Sequence, residues 1–527
     1  MRTFLFNIIK MKKLKLVSLA IAMACATPSL AGGLLTNTNQ HVAFNRMMSR
    51  EASIGIDGVY YNPAGVVFMG EGKHLAINWQ LAYQTRSIEN DYPLFTNNVN
   101  NPTTPREFKG KAFAPVIPSF QYAYNKGRWS LQAGFALTGG GGKCTFDDGL
   151  GSFEKIVAET ALAACQLAGA VDQVAAQYGV PAVFTSDKSF GKEGKYSYNS
   201  YMHGRQYYYG LSLGAAYKFS DNFSAFAGVR GVYASTNYYG YVENIKVGAM
   251  PLYMVLDPTK ETAANIELSC DQSGVGFTPI IGVDFKTGKW NFAAKYEFKT
   301  RIRLKNKSVN QAPSIGNLPD NLRNAYIAGG VPEAAADAII GNPVIQGAMG
   351  QLKTQFDAKL EEAIGEYEDG KKIAGDIPAY LALGVGYSPV NAVRVNVGFH
   401  WFDDKHATSY NNRQEKLDRG TLEYNAGVEV DVNKKITLST GWQNTNYGLS
   451  DEYMDDKSFV VGSNSAAIGG VYHINKKMDL NVAYFHTFYQ HKKTSEKVQL
   501  TEQKNINYSS DYTRNNNVFA VGLDINF

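Results

Sequence analysis

Apolar and polar residues alternate with period two in about fourteen separate segments, and the connections between them are alternately short and long. Trp129, Leu131, Ala133, Phe135 and Leu137 share one strand face, and Ser130, Gln132, Gly134, Ala136 and Thr138 share the other. Tyr207, Tyr209, Leu211, Leu213, Ala215, Tyr217 and Phe219 repeat the pattern, as do Val393, Val395, Val397, Phe399 and Trp401. The segments begin near Lys73, Val116, Arg128, Arg205, Asn222, Val275, Lys289, Pro378, Ala392, Gly420, Lys434, Gly462, Lys477 and Ser510. Short turns such as Asn125-Lys126-Gly127 and Ser220-Asp221-Asn222 alternate with loops at roughly 87–115, 139–204, 241–274, 304–377, 403–419, 447–461 and 491–509. Short turns at one end and long loops at the other mark a transmembrane antiparallel β-barrel, and a soluble sandwich does not produce them. The last strand agrees. Phe519, Val521, Leu523, Ile525 and Phe527 alternate with Ala520, Gly522, Asp524 and Asn526, so the strand ends on an outward aromatic. Phe527 is expected to act as an assembly signal, read by a barrel assembly machinery, on a strand that pairs with the first near His74 to Thr85.

Export is expected from the other end. Met11-Lys12-Lys13-Leu14-Lys15 is a basic region, Leu16 to Ala26 a short apolar one, and Ser29-Leu30-Ala31 a small-residue cleavage site. Residues 1–31 read as a removed signal peptide, with Met11 an alternative start to Met1. Cys25 follows a poor lipidation sequence, Ala22-Met23-Ala24. Removal of residues 1–31 takes Arg2, Lys10, Lys12, Lys13 and Lys15 and no acid, so the net charge falls from +5 to zero. No basic excess remains to suggest a nucleic-acid partner. No later run offers the ~20 apolar residues of a membrane helix, so a membrane-spanning form must be a closed barrel. The 33 Tyr, 28 Phe and 51 Gly suit aromatic girdles and tight turns. Cys144, Cys165 and Cys270 allow one disulfide in an oxidising compartment, with the pairing open, and their spacing fits no zinc motif. The eight histidines are scattered, and no nucleophile elbow, phosphate loop or His-Glu-x-x-His is present. Neither an enzyme nor a bound cofactor or metal is expected.

Residues 32–72 are not strand-like, whereas 73–527 carry the barrel pattern. A lumen of about fourteen strands is too wide for its own side chains to fill, so the first segment is expected to be a plug within it. Asn62-Pro63-Ala64-Gly65 supplies turn chemistry there, and Phe44 is a candidate ligand contact. Two loops carry helical stripes. One runs over 152–178, with Ser152 as its cap; Pro332 opens another, and Leu352, Phe356, Leu360, Ile364 and Tyr367 stripe a third. These stripes either pack on the loops or form an apolar external groove. Met250, Leu252, Met254 and Leu256, with Leu352 and Phe356, are the candidate groove wall, since methionine adapts to irregular ligands. On the seventh strand Lys295, Glu297, Lys299, Arg301 and Arg303 lie opposite Trp290, Phe292, Ala294, Tyr296 and Phe298 and are expected to face the lumen. Arg301 and Arg303 would there hold a ligand carboxylate, or serve with Arg230 and Arg394 as paired mortar against Asp57, Asp284, Glu423, Glu429 and Asp431.

The order of signal peptide, lumen segment with Asn62-Pro63-Ala64, about fourteen strands and terminal Phe527 resembles the FadL family of outer-membrane long-chain fatty acid transporters. The resemblance implies a monomeric barrel in a Gram-negative outer membrane, plugged by an N-terminal hatch bearing Asn62, Pro63 and Ala64. It further implies a substrate groove built by the loops at 241–274 and 304–377. Passive passage to an internal pocket, a hatch shift and exit beside a kinked third strand would follow. Gly139, Gly140, Gly141 and Gly142 are the candidates for that kink. The helix at 152–178 lies outside the groove loops the resemblance implies. Hydrophobic small molecules and outer-membrane lipid are the expected partners. A general porin, with an open lumen, and a non-transporting surface barrel serving adhesion or recognition are the competing readings.

Overall fold

The computed structural model describes residues 34, 36–313, 315–501 and 504–527; the expected signal peptide and both expected starts lie outside them. One continuous antiparallel sheet closes on itself as a barrel of fourteen staves. The staves are β1 (Gly72–Asp91), β2 (Arg106–Lys126), β3 (Trp129–Phe146), β4 (Tyr196–Lys218), β5 (Phe223–Val247) and β6 (Ile266–Thr287). Then come β7 (Trp290–Glu297 and Arg303–Gln311), β8 (Lys372–Ala374 and Tyr380–Val390), β9 (Val393–Phe402) and β10 (Thr421–Asn433). β11 (Ile436–Asn446), β12 (Ser463–Asn475), β13 (Met478–Tyr489 and Lys492–Thr501) and β14 (Lys504–Asn526) complete the wall. β14 pairs with β1 from His74↔Asn526 to Asp91↔Ser509, which leaves no open edge.

The alternation has the cause the sequence indicates. On β1, Ile77, Trp79 and Tyr83 are exposed on the outer face, whereas Ala76, Asn78, Gln80 and Ala82 are buried inside. Phe519 and Val521 face outward on β14, and Ala520 faces in. The strands run further than apolar patterning indicates. The connection expected at 139–204 is confined to residues between Phe146 and Tyr196, that at 241–274 to residues between Val247 and Ile266, and that at 304–377 to residues between Gln311 and Lys372. The expected loop at 491–509 is a hairpin of Lys492–Thr501 against the start of β14. These stave ends carry polar residues on their outer faces, so hydrophobic alternation fades although hydrogen-bond pairing continues.

β7 departs from expectation in a way that matters for the lumen. Ile280 pairs with Glu297 and Ser273 with Lys305, so β7 carries one residue more than β6 between those pairs. One extra residue exchanges the two faces of a strand. Lys295 and Glu297 are buried in the lumen, but beyond the interruption Ile302, Leu304 and Asn306 face in instead. Arg301 and Arg303 are therefore on the outer face, and Arg303 pairs with Asp376 at 2.9 Å. The expected luminal carboxylate clamp at these two arginines is corrected.

Seven α-helices accompany the wall among the described residues. α1 (Val42–Met47) and the single turn α2 (Gly58–Tyr61) lie in the lumen. α3 (Gly151–Ala176), α4 (Tyr253–Leu256), α5 (Leu318–Ala328), α6 (Glu333–Ile340) and α7 (Pro343–Ile364) belong to the long loops. Ser152 is not the cap of α3: Leu150 holds that position, and the Ser152 N–H donates to Asp456 across 2.8 Å from another loop.

Candidate functional site

Three features make up the site: an apolar cavity among the loops, a segment filling the lumen, and an interruption in the wall beside that segment. The cavity comes from the amphipathic pattern of α3. Ile156, Val157, Leu167, Ala168 and Val171 lie on one face of that helix. Leu252, Val255 and Leu256 from the β5–β6 loop oppose them, with Pro313, Ile315, Leu318, Leu322 and Leu352 from the β7–β8 loop. Phe184, Phe190, Ile245 and Ile266 complete a cavity of about 90 Å³. Among the described residues Thr160 is the sole polar one in its lining.

Polar ties hold the three loops in register. Asp172 of α3 accepts from the Val183 and Thr185 amides at 3.1 and 2.7 Å and from the Tyr326 hydroxyl at 3.2 Å. Asn321 donates to the Val255 and Leu256 carbonyls at 2.9 and 2.6 Å. Asp456 accepts from Ser152 and from the Tyr512 hydroxyl at 2.9 Å, and burial pushes its carboxyl above the usual range.

Residues 36–67 are enclosed by the wall and almost wholly buried. Asn62 donates to Asp284 at 2.6 Å and to the Ser53 carbonyl at 3.3 Å, and its side-chain oxygen accepts from the Gly65 amide at 3.1 Å. Gln132 on β3 donates to the Pro63 carbonyl and Ser224 on β5 to the Ala64 carbonyl, both at 2.7 Å. The turn is thus pinned to three staves. A Cβ on Gly65 would lie 2.4 Å from the Asn62 amide nitrogen, so only glycine fits this turn without a shift.

Charged groups in the lumen are paired, some across the boundary between segment and wall and some within one of them. Arg46 meets Glu429 at 3.0 Å, and Arg50 bridges Asp57 and Glu429 at 2.7 and 2.5 Å. Glu51 contacts His400 at 2.7 Å, and His400 contacts Glu423 at 2.8 Å. Arg230 and Lys295 both hold Glu297, at 2.6 and 2.8 Å. These pairs behave as mortar: each buried charge has an opposite neighbour, which offsets its desolvation. Arg394, half-buried, pairs with Asp431 at 2.6 Å.

The wall interruption lies between β2 and β3. Phe113 pairs with Lys143 and Phe120 with Phe135, but the residues between them on the two strands do not pair. Pro115 and Pro118 have no N–H to offer a ladder. On β3, Gly140 and Gly141 have φ of 71° and 136°, a conformation that favours glycine. A Cβ at Gly140 would meet the Gln206 carbonyl at 2.3 Å. Asn37 closes the interruption from inside: its amide donates to the Thr138 carbonyl at 2.9 Å, and its side chain to the Gly140 and Leu137 carbonyls at 2.5 and 3.3 Å. Ala114, Ile117 and Leu137 at this place pack with Phe44, Met48, Tyr60 and Tyr61 in one apolar cluster.

The structure thus joins Leu252, Leu256 and Leu352 in the loop cavity, with Met250 half-buried beside it. Met254 is 45% exposed, and the Phe356 side chain lies outside the described residues. Phe44 sits below the cavity, against the wall interruption. Phe527 is exposed at the β1–β14 seam, where its amide donates to the Lys73 carbonyl at 2.9 Å. Cys144, Cys165 and Cys270 are buried free thiols, so the disulfide allowed by their number is not formed. The helix left outside the expected groove supplies one whole wall of the cavity. Its stripe was visible in sequence, but its position against the other two loops was not.

No family model matches the chain, and no curated protein matches it. Solved structures do. The crystal structure of a Pseudomonas aeruginosa FadL homologue superposes with a TM-score of 0.58 at 14% identity, covering 94% of this chain and 100% of that one. The TodX deltaS2S3 mutant monoaromatic hydrocarbon channel gives 0.51 at 14% identity, covering 92% and 98%. The chain therefore has a FadL-like barrel fold.

Proposed function

We propose that the protein carries hydrophobic molecules, long-chain fatty acids foremost, passively across a Gram-negative outer membrane. A molecule enters the apolar cavity between α3, the β5–β6 loop and the β7–β8 loop, and passes to the cluster around Phe44, Tyr60 and Ile117. It leaves sideways between β2 and β3 once residues 36–65 shift. In this reading residues 32–72 are the hatch, and Asn62-Pro63-Ala64-Gly65 anchors it to the wall. The observation that carries the proposal is the lapse of β2–β3 pairing directly against an apolar luminal cluster, stoppered by Asn37. The FadL-like fold, and the name of one similar structure as a monoaromatic hydrocarbon channel, support a hydrophobic cargo. A general porin needs an open aqueous lumen, which the packed segment opposes.

A covalent staple across the interruption tests this. A Cβ built on Gly142 lies 3.5 Å from the Ala114 Cβ, within disulfide reach. In a background with Cys144, Cys165 and Cys270 replaced by alanine, Ala114→Cys with Gly142→Cys is expected to abolish oleate uptake by whole cells when oxidised. Reduction restores it. Undiminished uptake by a fully oxidised, folded barrel refutes lateral exit.

A further inference from the structure

The guanidinium of Arg86 stands apart from the mortar. Arg86 on β1 is fully buried. Its Nε donates to Gln84 at 3.2 Å, but Nη1 and Nη2 have no hydrogen-bond partner among the described residues. Arg46, Arg50, Arg230 and Lys295 each meet a carboxylate, whereas no ion pair among the described residues includes Arg86. Its cross-strand neighbour at the seam is a second cation, Arg514, which is also buried and donates to the same Gln84 oxygen at 2.7 Å. Aromatic faces cover both, Phe459 at 5.9 Å from Arg86 and Tyr489 at 5.1 Å from Arg514. Two like charges side by side in a dry place are unfavourable unless an anion joins them.

Their place in the fold says what kind of anion. Directly above them along the same two strands, Ile88 and Tyr512 belong to the apolar cluster that includes α3 and the loop cavity. Below, one step beyond the polar pair Gln84 and Asn516, Ala82 and Val518 belong to the cluster with Phe44, Tyr61 and Ile117. The pair is a positive collar between two greasy compartments. A bare hydrocarbon gains nothing from such a collar. An amphiphile with a planar monoanionic head matches it, because a guanidinium fork takes both carboxylate oxygens.

We propose that Arg86 and Arg514 form the head-group site of the path, binding the carboxylate of a long-chain fatty acid while its tail lies on either apolar cluster. This rests on the uptake reading above and assigns the preferred substrate as an anion rather than a neutral hydrocarbon. It also moves carboxylate recognition from Arg301 and Arg303 to the β1–β14 seam.

The test compares oleate with oleyl alcohol, which share a tail and differ in the head, binding to the full chain purified in detergent. The parent is expected to bind oleate about tenfold or more tightly than the alcohol. Arg86→Gln is expected to erase that difference by weakening oleate alone, with alcohol affinity held within about twofold. Equal affinity of the parent for both ligands overturns the head-group site, as does an Arg86→Gln variant that weakens both alike or neither. Should Arg86→Gln not yield the heat-modifiable folded band, Arg514→Gln and the parent's own oleate-to-alcohol ratio decide. A parent that binds neither ligand refutes the uptake reading itself, an outcome distinct from equal binding of both.

Discussion

Asp404 illustrates how far a single buried carboxylate can bias the external half of the molecule. It lies just beyond β9 and accepts from the Thr421 amide and hydroxyl at 2.8 and 2.6 Å and from the Leu34 amide at 3.4 Å. Burial outweighs these donors and pushes its carboxyl up to about 6. A raised carboxyl favours the folded state in its protonated form, so the contribution is full below the unfolded value of about 3.9 and is lost as pH rises through 6. Lowering the pH from 7 to 4 should therefore raise the denaturant midpoint through this group. Asp404→Asn should be more stable than the parent at pH 7 and lose that share of the pH dependence. A parent and variant with parallel profiles would show that Asp404 is not the group responsible. Residue identity was legible at such sites but residue environment was not. Arg301 and Arg303 have the alternation of luminal residues, yet one inserted residue upstream turns them to the outside. Arg86 sits in an ordinary polar stripe, and only the closure of β1 on β14 brings Arg514 beside it.

At the scale of elements, α3 depends on a partner distant in sequence. Its first-turn amide at Ser152 is satisfied by Asp456, which also holds the hydroxyl of Tyr512 and, at 3.3 Å, that of Tyr508. Asp456→Ala leaves three buried donors without this acceptor, and loss of a helix cap alone costs about 1 kcal/mol. The variant should keep its barrel but expose α3. Limited proteolysis should then cut within residues 151–176 faster than in the parent, with the folded band on unheated gels unchanged. Unaltered cleavage would mean that apolar packing and the remaining polar ties, those of Asp172 among them, hold the helix without Asp456. The helices and staves were readable because period 3.6 and period two are imposed by local geometry. All fourteen expected strand starts fall within or beside observed staves. The lapse between β2 and β3 was half readable: four consecutive glycines and two prolines were there, but an unpaired stretch is a property of two strands, and neither shows it alone.

For the molecule as a whole, the lumen segment and the wall share one electrostatic and packing budget. Removing residues 36–65 deletes Arg46, Arg50, Glu51 and Asp57, and leaves Glu429, Glu423 and His400 lining an open channel. A barrel of this size is wide enough to pass water and ions once emptied. Single-channel conductance in planar bilayers should rise well above that of the parent, which should be nearly silent. Equal conductance in both would show that the segment does not seal the lumen. The seam between β1 and β14 has a further consequence, for the order of events in assembly. The segment to be enclosed precedes the first stave, and the enclosure is complete only when the fourteenth stave finds the first. Those partners are the most distant pair of staves along the chain, so their meeting carries the largest loop-closure cost and comes late. Until the last stave locks, the segment can enter through the open edge of the nascent sheet; afterwards only the mouths of the closed barrel could admit it.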